Sequence, residues 1–284
     1  MKLALIGDIH GQLKKLRQLV DYINHDYFTK TDAIFLSGDI GGYYLSYNDK
    51  DDWTPKKNKE HNPSFKYTKS IREVLKILSL LKKDMPIFYV PGNHDYSNLH
   101  DIIDFIKAST PEVKHLNIQN VDQKMVSFLG YSISGKGGAP LTVAMPYGFD
   151  DSQLQSKEDL LRSDIKPTLC LDYWKECDIF LSHCPPKGIL DGKNYGSDLI
   201  LDMLTVDCPN EHKLFLCGHI HESFGHGYIE EIKTTFVNGG SLGEPYPNTL
   251  VTYVDFSSFK EAEVQMKHLY GANEDTKYNF TLEN

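Results

Sequence analysis

The feature that most limits how this chain can fold is a recurring junction: a short apolar run ends, and Gly, Asp, Asn, Ser or His follows at once. Lys2–Ile6 runs into Gly7-Asp8-Ile9-His10-Gly11, Ala33–Leu36 leads to Gly38-Asp39, and residues 87–90 lead to Gly92-Asn93-His94-Asp95. Residues 179–181 meet Ser182-His183, and residues 214–217 meet Gly218-His219-Ile220-His221. Apolar runs this short, rich in β-branched and aromatic residues and closed by turn formers, read as buried strands. Side chains able to do chemistry therefore gather at strand ends, where open α/β sheets bind ligands.

Residues 234–237 and 250–256 read as further strands. Between strands, Leu13, Leu16, Val20 and Ile23 share one helical face, as do Ile71, Val74, Leu75, Leu78 and Leu81. Residues 101–107 and 197–204 read as two more helices. Alternating strands and helices predict an α/β layered fold. Segments 125–134 and 234–256 run from strand to strand through glycine-rich turns, which predicts a second sheet with helices outside the pair. Segments 43–66 and 136–151 interrupt the pattern and read as loop insertions in a single domain spanning 1–284.

Charge narrows the partners. Thirty Lys and Arg against 39 Asp and Glu leave a formal charge of −9. An overall acidic chain offers no field for nucleic-acid phosphate, so sequence-specific nucleic-acid binding is not expected. Five cysteines, an odd number, show no metal-type spacing and fit reduced thiols in a cytoplasmic protein. The apolar run at the N-terminus stops at Asp8, and no stretch approaches the about 18 apolar residues of a membrane span, so no membrane association is expected.

Asp, His and Asn arriving together at strand ends supply oxygen and imidazole donors suited to zinc, iron or manganese. Asp8-x-His10 and His219-x-His221 place alternate side chains on one side of an extended segment, so each pair can reach a common centre. Any one of the five motifs is commonplace; their order and shared placement are not. Taken together, D-x-H, GD, GNHD, H and GHxH, running from Asp8 to His221, resemble the calcineurin-like metallophosphoesterase superfamily.

That resemblance implies a four-layer α/β/β/α sandwich of two mixed sheets flanked by helices, with a dinuclear metal centre (Mn, Fe or Zn) at one end. It implies that Asp8, His10 and His221 hold one metal, that Asn93, His183 and His219 hold the other, and that Asp39 bridges them. It further implies hydrolysis of a phosphate ester by a metal-bridging hydroxide, with His94 assisting the leaving group and Asp95 orienting His94. The substrate is then a small phosphorylated molecule such as a nucleotide, hydrolysed as a monoester or, alternatively, as a cyclic nucleotide or other diester. A non-catalytic protein-binding scaffold on the same fold is the alternative of another class, and the intact ligand set argues against it.

Two departures separate the chain from the protein serine/threonine phosphatases of that superfamily. The second motif reads Gly38-Asp39-Ile40-Gly41-Gly42, and Pro91 rather than Arg precedes Gly92. The pattern is closer to the small prokaryotic-type phosphoesterases. Near the motifs, Tyr43, Tyr44, Tyr47 and Trp53 could stack on a nucleobase or anchor a solvated insertion. Lys136-Gly137-Gly138 reads first as a strand-end turn and second as a phosphate cradle. Cys184 reads as a small residue packed behind His183, and Asn238-Gly239-Gly240-Ser241 as a tight turn near the metal end. Glu222 and His226, just past the last motif, read equally as support for the ligands or as exposed loop.

Overall fold

The first strand is apolar at every buried position, and the fold uses both of its faces. In β1 (Lys2–Ile6), Leu3 and Leu5 point one way and Ala4 and Ile6 the other, as strand geometry requires, and each face meets a separate core. The computed structural model describes residues 1–25, 30–41, 63–82, 84–140, 148–149, 171–193, 195–205, 213–242, 250–256 and 262–268. Segment 43–62, with its aromatic residues, lies outside the described residues, as do Cys170 and Cys208. Most of the 136–151 insertion is likewise outside them.

Parallel β1, β2 (Ala33–Leu36), β3 (Ile87–Tyr89) and β4 (Ile118–Asn120) form most of the first sheet. Helices α1 (Leu13–His25), α2 (Pro63–Leu78) and α3 (Leu99–Ser109) lie between these strands in the chain and cover the outer face. The second sheet contains β5 (Val126–Phe128), β6 (Tyr131–Lys136), β9 (Ile179–Ser182), β10 (Lys213–Cys217), β11 (Gly225–Ile229) and β12 (Thr234–Asn238). Its inner four strands are parallel, and β5 and β11 close the edges antiparallel. Short β7 (Ala139–Pro140) and β8 (Gly148–Phe149) pair with each other.

Three apolar clusters separate four layers. Leu3, Leu5, Phe35 and Phe88 of the first sheet meet Ile133, Ile179, Leu181, Leu214, Leu216 and Val237 of the second. Outside the first sheet, Ile6, Ile34 and Leu36 pack on Leu16, Val20, Ile71 and Val74. Outside the second, Phe180, Phe215 and Phe236 pack on Trp174 of α4 (Leu171–Glu176) and on Ile200 and Met203 of α5 (Asp198–Thr205). The expected α/β/β/α sandwich of two mixed sheets is the fold.

One connection differs from the sequence reading. Segment 234–256 does not stay in the second sheet: β13 (Leu250–Asp255) crosses to the first and pairs antiparallel with β1, and β14 (Glu263–His268) extends that edge. A strand-to-strand pattern shows that a strand follows, not which sheet receives it. The helix expected over 71–81 begins earlier, at Pro63, and ends at Leu78. Among the described residues no helix is long and apolar enough to cross a membrane.

Candidate metal centre

Because β1–β4 of the first sheet are parallel, as are the inner four strands of the second, their C-terminal ends lie on one rim. β1, β2 and β3 deliver Asp8 and His10, Asp39, and the Gly92–Asp95 turn, while β9 and β10 deliver His183 and the His219–His221 segment. Asp8 also forms a parallel bridge with Ser241, whose hydroxyl donates to the Asp8 carbonyl at 3.0 Å. The 238–241 turn is thereby held at this end, as expected.

Three of the delivered residues are strained. His10, Asp39 and His219 have φ of +47°, +46° and +66°, in the left-handed region where a non-glycine residue costs about 1–3 kcal/mol. The surrounding packing enforces these conformations, and each aims its side chain into the rim. Close approach is secured at Gly92, where an added Cβ would collide with the backbone nitrogen and carboxylate of Asp39.

The carboxylates and imidazoles interlock. Asp8 Oδ2 lies 2.8 Å from His221 Nε2 and 3.8 Å from His10 Nε2, and Asp8 Oδ1 accepts the His219 backbone N–H at 3.1 Å. Asp39 Oδ2 is 3.7 Å from both His10 Nε2 and His183 Nε2, and its Oδ1 accepts the His94 backbone N–H at 2.8 Å. His183 Nδ1 donates to the Ser37 carbonyl at 2.7 Å, and Nε2 faces Asn93 Oδ1 at 2.7 Å. The His219 ring lies 4.9 Å from that of His183, and the half-buried His94 ring lies 5.7 Å from that of His10. Two groups could each hold a metal ion: Asp8 with His10 and His221, and Asp8 with Asp39 and His183.

Electrostatics follow from burying so many titratable groups together. Burial alone would raise Asp8, but His183, His221 and His10 outweigh it and hold the carboxyl below its ordinary range. Burial pushes Asp39 well up, and the negative Asp8 and Asp95 add to the push. Burial lowers His10 and His219 to about 3 and His94 to about 4, with His183 pressing on all three. His221 runs the other way: burial disfavours its charge, but the hydrogen bond and charge of Asp8 prevail and lift it.

Asp95, expected to orient His94, is fully buried and held by several donors. Its carboxylate accepts N–H bonds from Gly92 (2.9 Å), Ile40 (3.0 Å) and Gly41 (3.0 Å), and the Tyr67 hydroxyl at 2.7 Å. Asp95 clamps the Gly92 turn to the segment that follows Asp39. Tyr67 was not singled out in the sequence, where it is one apolar position in a helical stripe. Its ring packs against Gly41, and its hydroxyl completes the clamp.

The nearby motifs resolve in part. The Gly137 N–H donates to Asp122 and the Gly138 N–H to the Pro91 carbonyl, so this turn does not present those groups to a phosphate. Cys184 is buried, its thiol donating to the Pro185 carbonyl at 3.4 Å. His226 sits buried on β11 rather than in an exposed loop, whereas Glu222 is exposed.

Comparison with known proteins places this geometry. The profile of one family, calcineurin-like phosphoesterase, matches residues 1–223. One solved structure superposes with a TM-score of 0.60 at 17% identity, covering 94% of this chain and 98% of its own. The protein TT1561 of Thermus thermophilus superposes with a TM-score of 0.57 at 20% identity, again over 94% and 98%. At these identities the likeness is one of fold. No curated protein matches the sequence.

Proposed function

Because the chain belongs to the calcineurin-like phosphoesterase family, we propose that it hydrolyses small phosphate esters at a centre of two divalent metal ions. The observation that carries this reading is His183. Its Nδ1 proton is committed to the Ser37 carbonyl, yet Nε2 faces the Asn93 oxygen at 2.7 Å with Asp39 Oδ2 at 3.7 Å. Oxygen and imidazole donor atoms converging in a buried site suit a bound cation.

Asp8, His10 and His221 would hold one ion, and Asn93, His183 and His219 the other. Asp39, equidistant from His10 and His183, would be shared. The mixed imidazole, carboxylate and amide set suits manganese, iron or zinc. Bound there, two such ions would lower the pKa of water toward neutrality and offset the charge of the phosphoryl group.

The chain's own residues do the rest. With its pKa near 4, His94 is neutral at pH 7, so it acts on the departing oxygen by donating a ring N–H rather than as a reservoir of imidazolium. Asp95 is a positioning residue: through Ile40, Gly41 and Gly92 it fixes the two turns that carry Asp39 and Asn93.

The test is elemental analysis together with a manganese-supplemented panel of a phosphomonoester, a phosphodiester and a cyclic nucleotide. About two equivalents of divalent metal and turnover of at least one ester are expected. Asp39→Asn should abolish turnover and lower the metal content, since it weakens both sites at once. Protein that takes up no metal, or an Asp39→Asn variant with full activity, overturns the reading.

A further inference from the structure

The chain leaves His183 through Cys184-Pro185-Pro186 and turns back before α5, forming a loop between Lys187 and Ser197 in which Asn194 lies outside the described residues. This loop is closed on itself. The Ser197 N–H donates to the Pro185 carbonyl at 2.9 Å and the Lys187 N–H to the Ser197 carbonyl at 3.0 Å. Inside it, the buried Asp191 carboxylate accepts the N–H groups of Gly188 (2.9 Å) and Gly196 (3.1 Å), and the Tyr195 N–H meets the Asp191 carbonyl at 3.3 Å. A carboxylate held by two backbone donors fixes a turn much as a short ligand would.

The fixed loop is also braced against the other half of the centre. Asn238, fully buried on β12, donates through one amide nitrogen to the carbonyls of Leu190 (3.2 Å) and Ile220 (3.1 Å), tying the loop to the segment between His219 and His221. Gly192 sits so close to that segment that an added Cβ would stand 3.1 Å from Ser223 Oγ and 3.3 Å from Ile220 Cγ2. The loop thus begins at one candidate metal-ligand residue and leans on the segment carrying two others.

On this rigid support the chain displays an aromatic ring. Tyr195 is 59% exposed. Among the described residues the other large exposed apolar side chains, Leu80, Phe105 and Leu129, lie after α2, on α3 and in the β5–β6 turn. Exposing a tyrosine costs apolar burial, and holding it on a braced turn removes most of the entropy that stacking would otherwise lose. Lys193, also exposed, adds a cation to the same turn.

We propose that Tyr195, on the loop fixed by the Asp191 carboxylate, is a specificity wall of the candidate metal centre. Tyr195 stacks on a planar ring of the substrate while the phosphoryl group occupies the Asp/His cluster. This rests on the phosphoesterase reading and deepens it: the favoured substrates are phosphate esters of ring-bearing alcohols, with nucleotides the natural class, over esters of glycerol-like alcohols.

The experiment compares manganese-loaded wild type, Tyr195→Ala and Tyr195→Phe on adenosine and glycerol phosphate esters, each as monoester and diester. Folding is checked by melting temperature. The readout is the ratio of kcat/KM for the adenosine ester over the matched glycerol ester. Tyr195→Ala should lower that ratio by about tenfold, chiefly through KM for the adenosine ester, as loss of one base–aromatic stack does. Tyr195→Phe, which keeps the ring, should hold the ratio within about twofold. An unchanged ratio in Tyr195→Ala, or a wild type that prefers the glycerol esters, overturns the wall while leaving the phosphoesterase reading intact. A wild type that turns over none of the four esters overturns both.

Discussion

At the scale of single residues, the site is built as much by what is missing as by what is present. Gly92 has no side chain because Asp39 occupies the space a Cβ would need. Gly92→Ala must push Asp39 out of reach of His10 and His183, so activity should fall at least about tenfold and metal content should drop with it, a cost set by geometry rather than by chemistry. Parallel measurement of metal and turnover checks this; retention of both would show that the Asp39 turn can yield. The strand-end motifs made Asp8, His10, Asp39, Asn93, His94, His183, His219 and His221 legible in the sequence, because residue type and position after an apolar run are local properties. Which donors meet the Asp95 carboxylate was not legible. It depends on Tyr67, on a helix that the sequence separates from it by 28 positions.

At the scale of elements, alternation and helical periodicity gave the strands with both faces buried and the helices with one apolar stripe. They gave less where an element is short or held by a single contact. Six-residue α4 is too short to be stable alone. Its C-terminal end is held by Lys213, a 4% exposed lysine on β10 whose ammonium donates to the carbonyls of Trp174 (2.8 Å), Lys175 (3.1 Å) and Cys177 (2.6 Å) and lies 5.1 Å from the Trp174 ring centre. In the sequence that residue is an ordinary lysine beside an apolar run. Lys213→Met removes the donor for three carbonyls near a helix end, and a buried polar group left unpaired costs about 1–3 kcal/mol. Chemical denaturation should show a loss of that order or somewhat more, with metal content kept, because the contact lies outside the rim. A variant as stable as wild type would mean that water replaces the ammonium there.

At the scale of the whole molecule, stability and the candidate centre are coupled through protons. His10, His94 and His219 are held near 3, 4 and 3 in the folded protein, below the ordinary 6.5. As pH falls below about 6.5, the unfolded chain takes up protons that the folded chain refuses, so folding weakens on the acid side. Asp39 acts in the opposite sense: its raised pKa contributes stability that is lost as pH rises. Asp8, held low, loses stability on the acid side as the three histidines do, and His221, held high, acts with Asp39. Four groups against two predict that metal-free protein melts at a lower temperature at pH 4.5 than at pH 7, and that manganese raises the pH 7 value further. Scanning calorimetry across that range checks it, and a metal-free protein that melts higher at pH 4.5 would contradict the burial of these histidines.

The crossing of β13 back to the first sheet has a consequence for biosynthesis. β1 leaves the ribosome well before its antiparallel neighbour, Leu250–Asp255, has been made. The Asp8–Ser241 contact spans 233 positions. At about 5–20 residues per second, roughly 10–50 s of synthesis separate the two halves. Until the second-sheet strands between Val126 and Asn238 have followed, the inner face of the first sheet, with Leu3, Leu5, Phe35 and Phe88, is uncovered. The nascent chain therefore carries its greatest aggregation hazard before it can bind metal. A ribosome stalled near residue 240 should display a chaperone-binding, protease-sensitive chain, whereas one stalled with residue 268 clear of the exit tunnel should not.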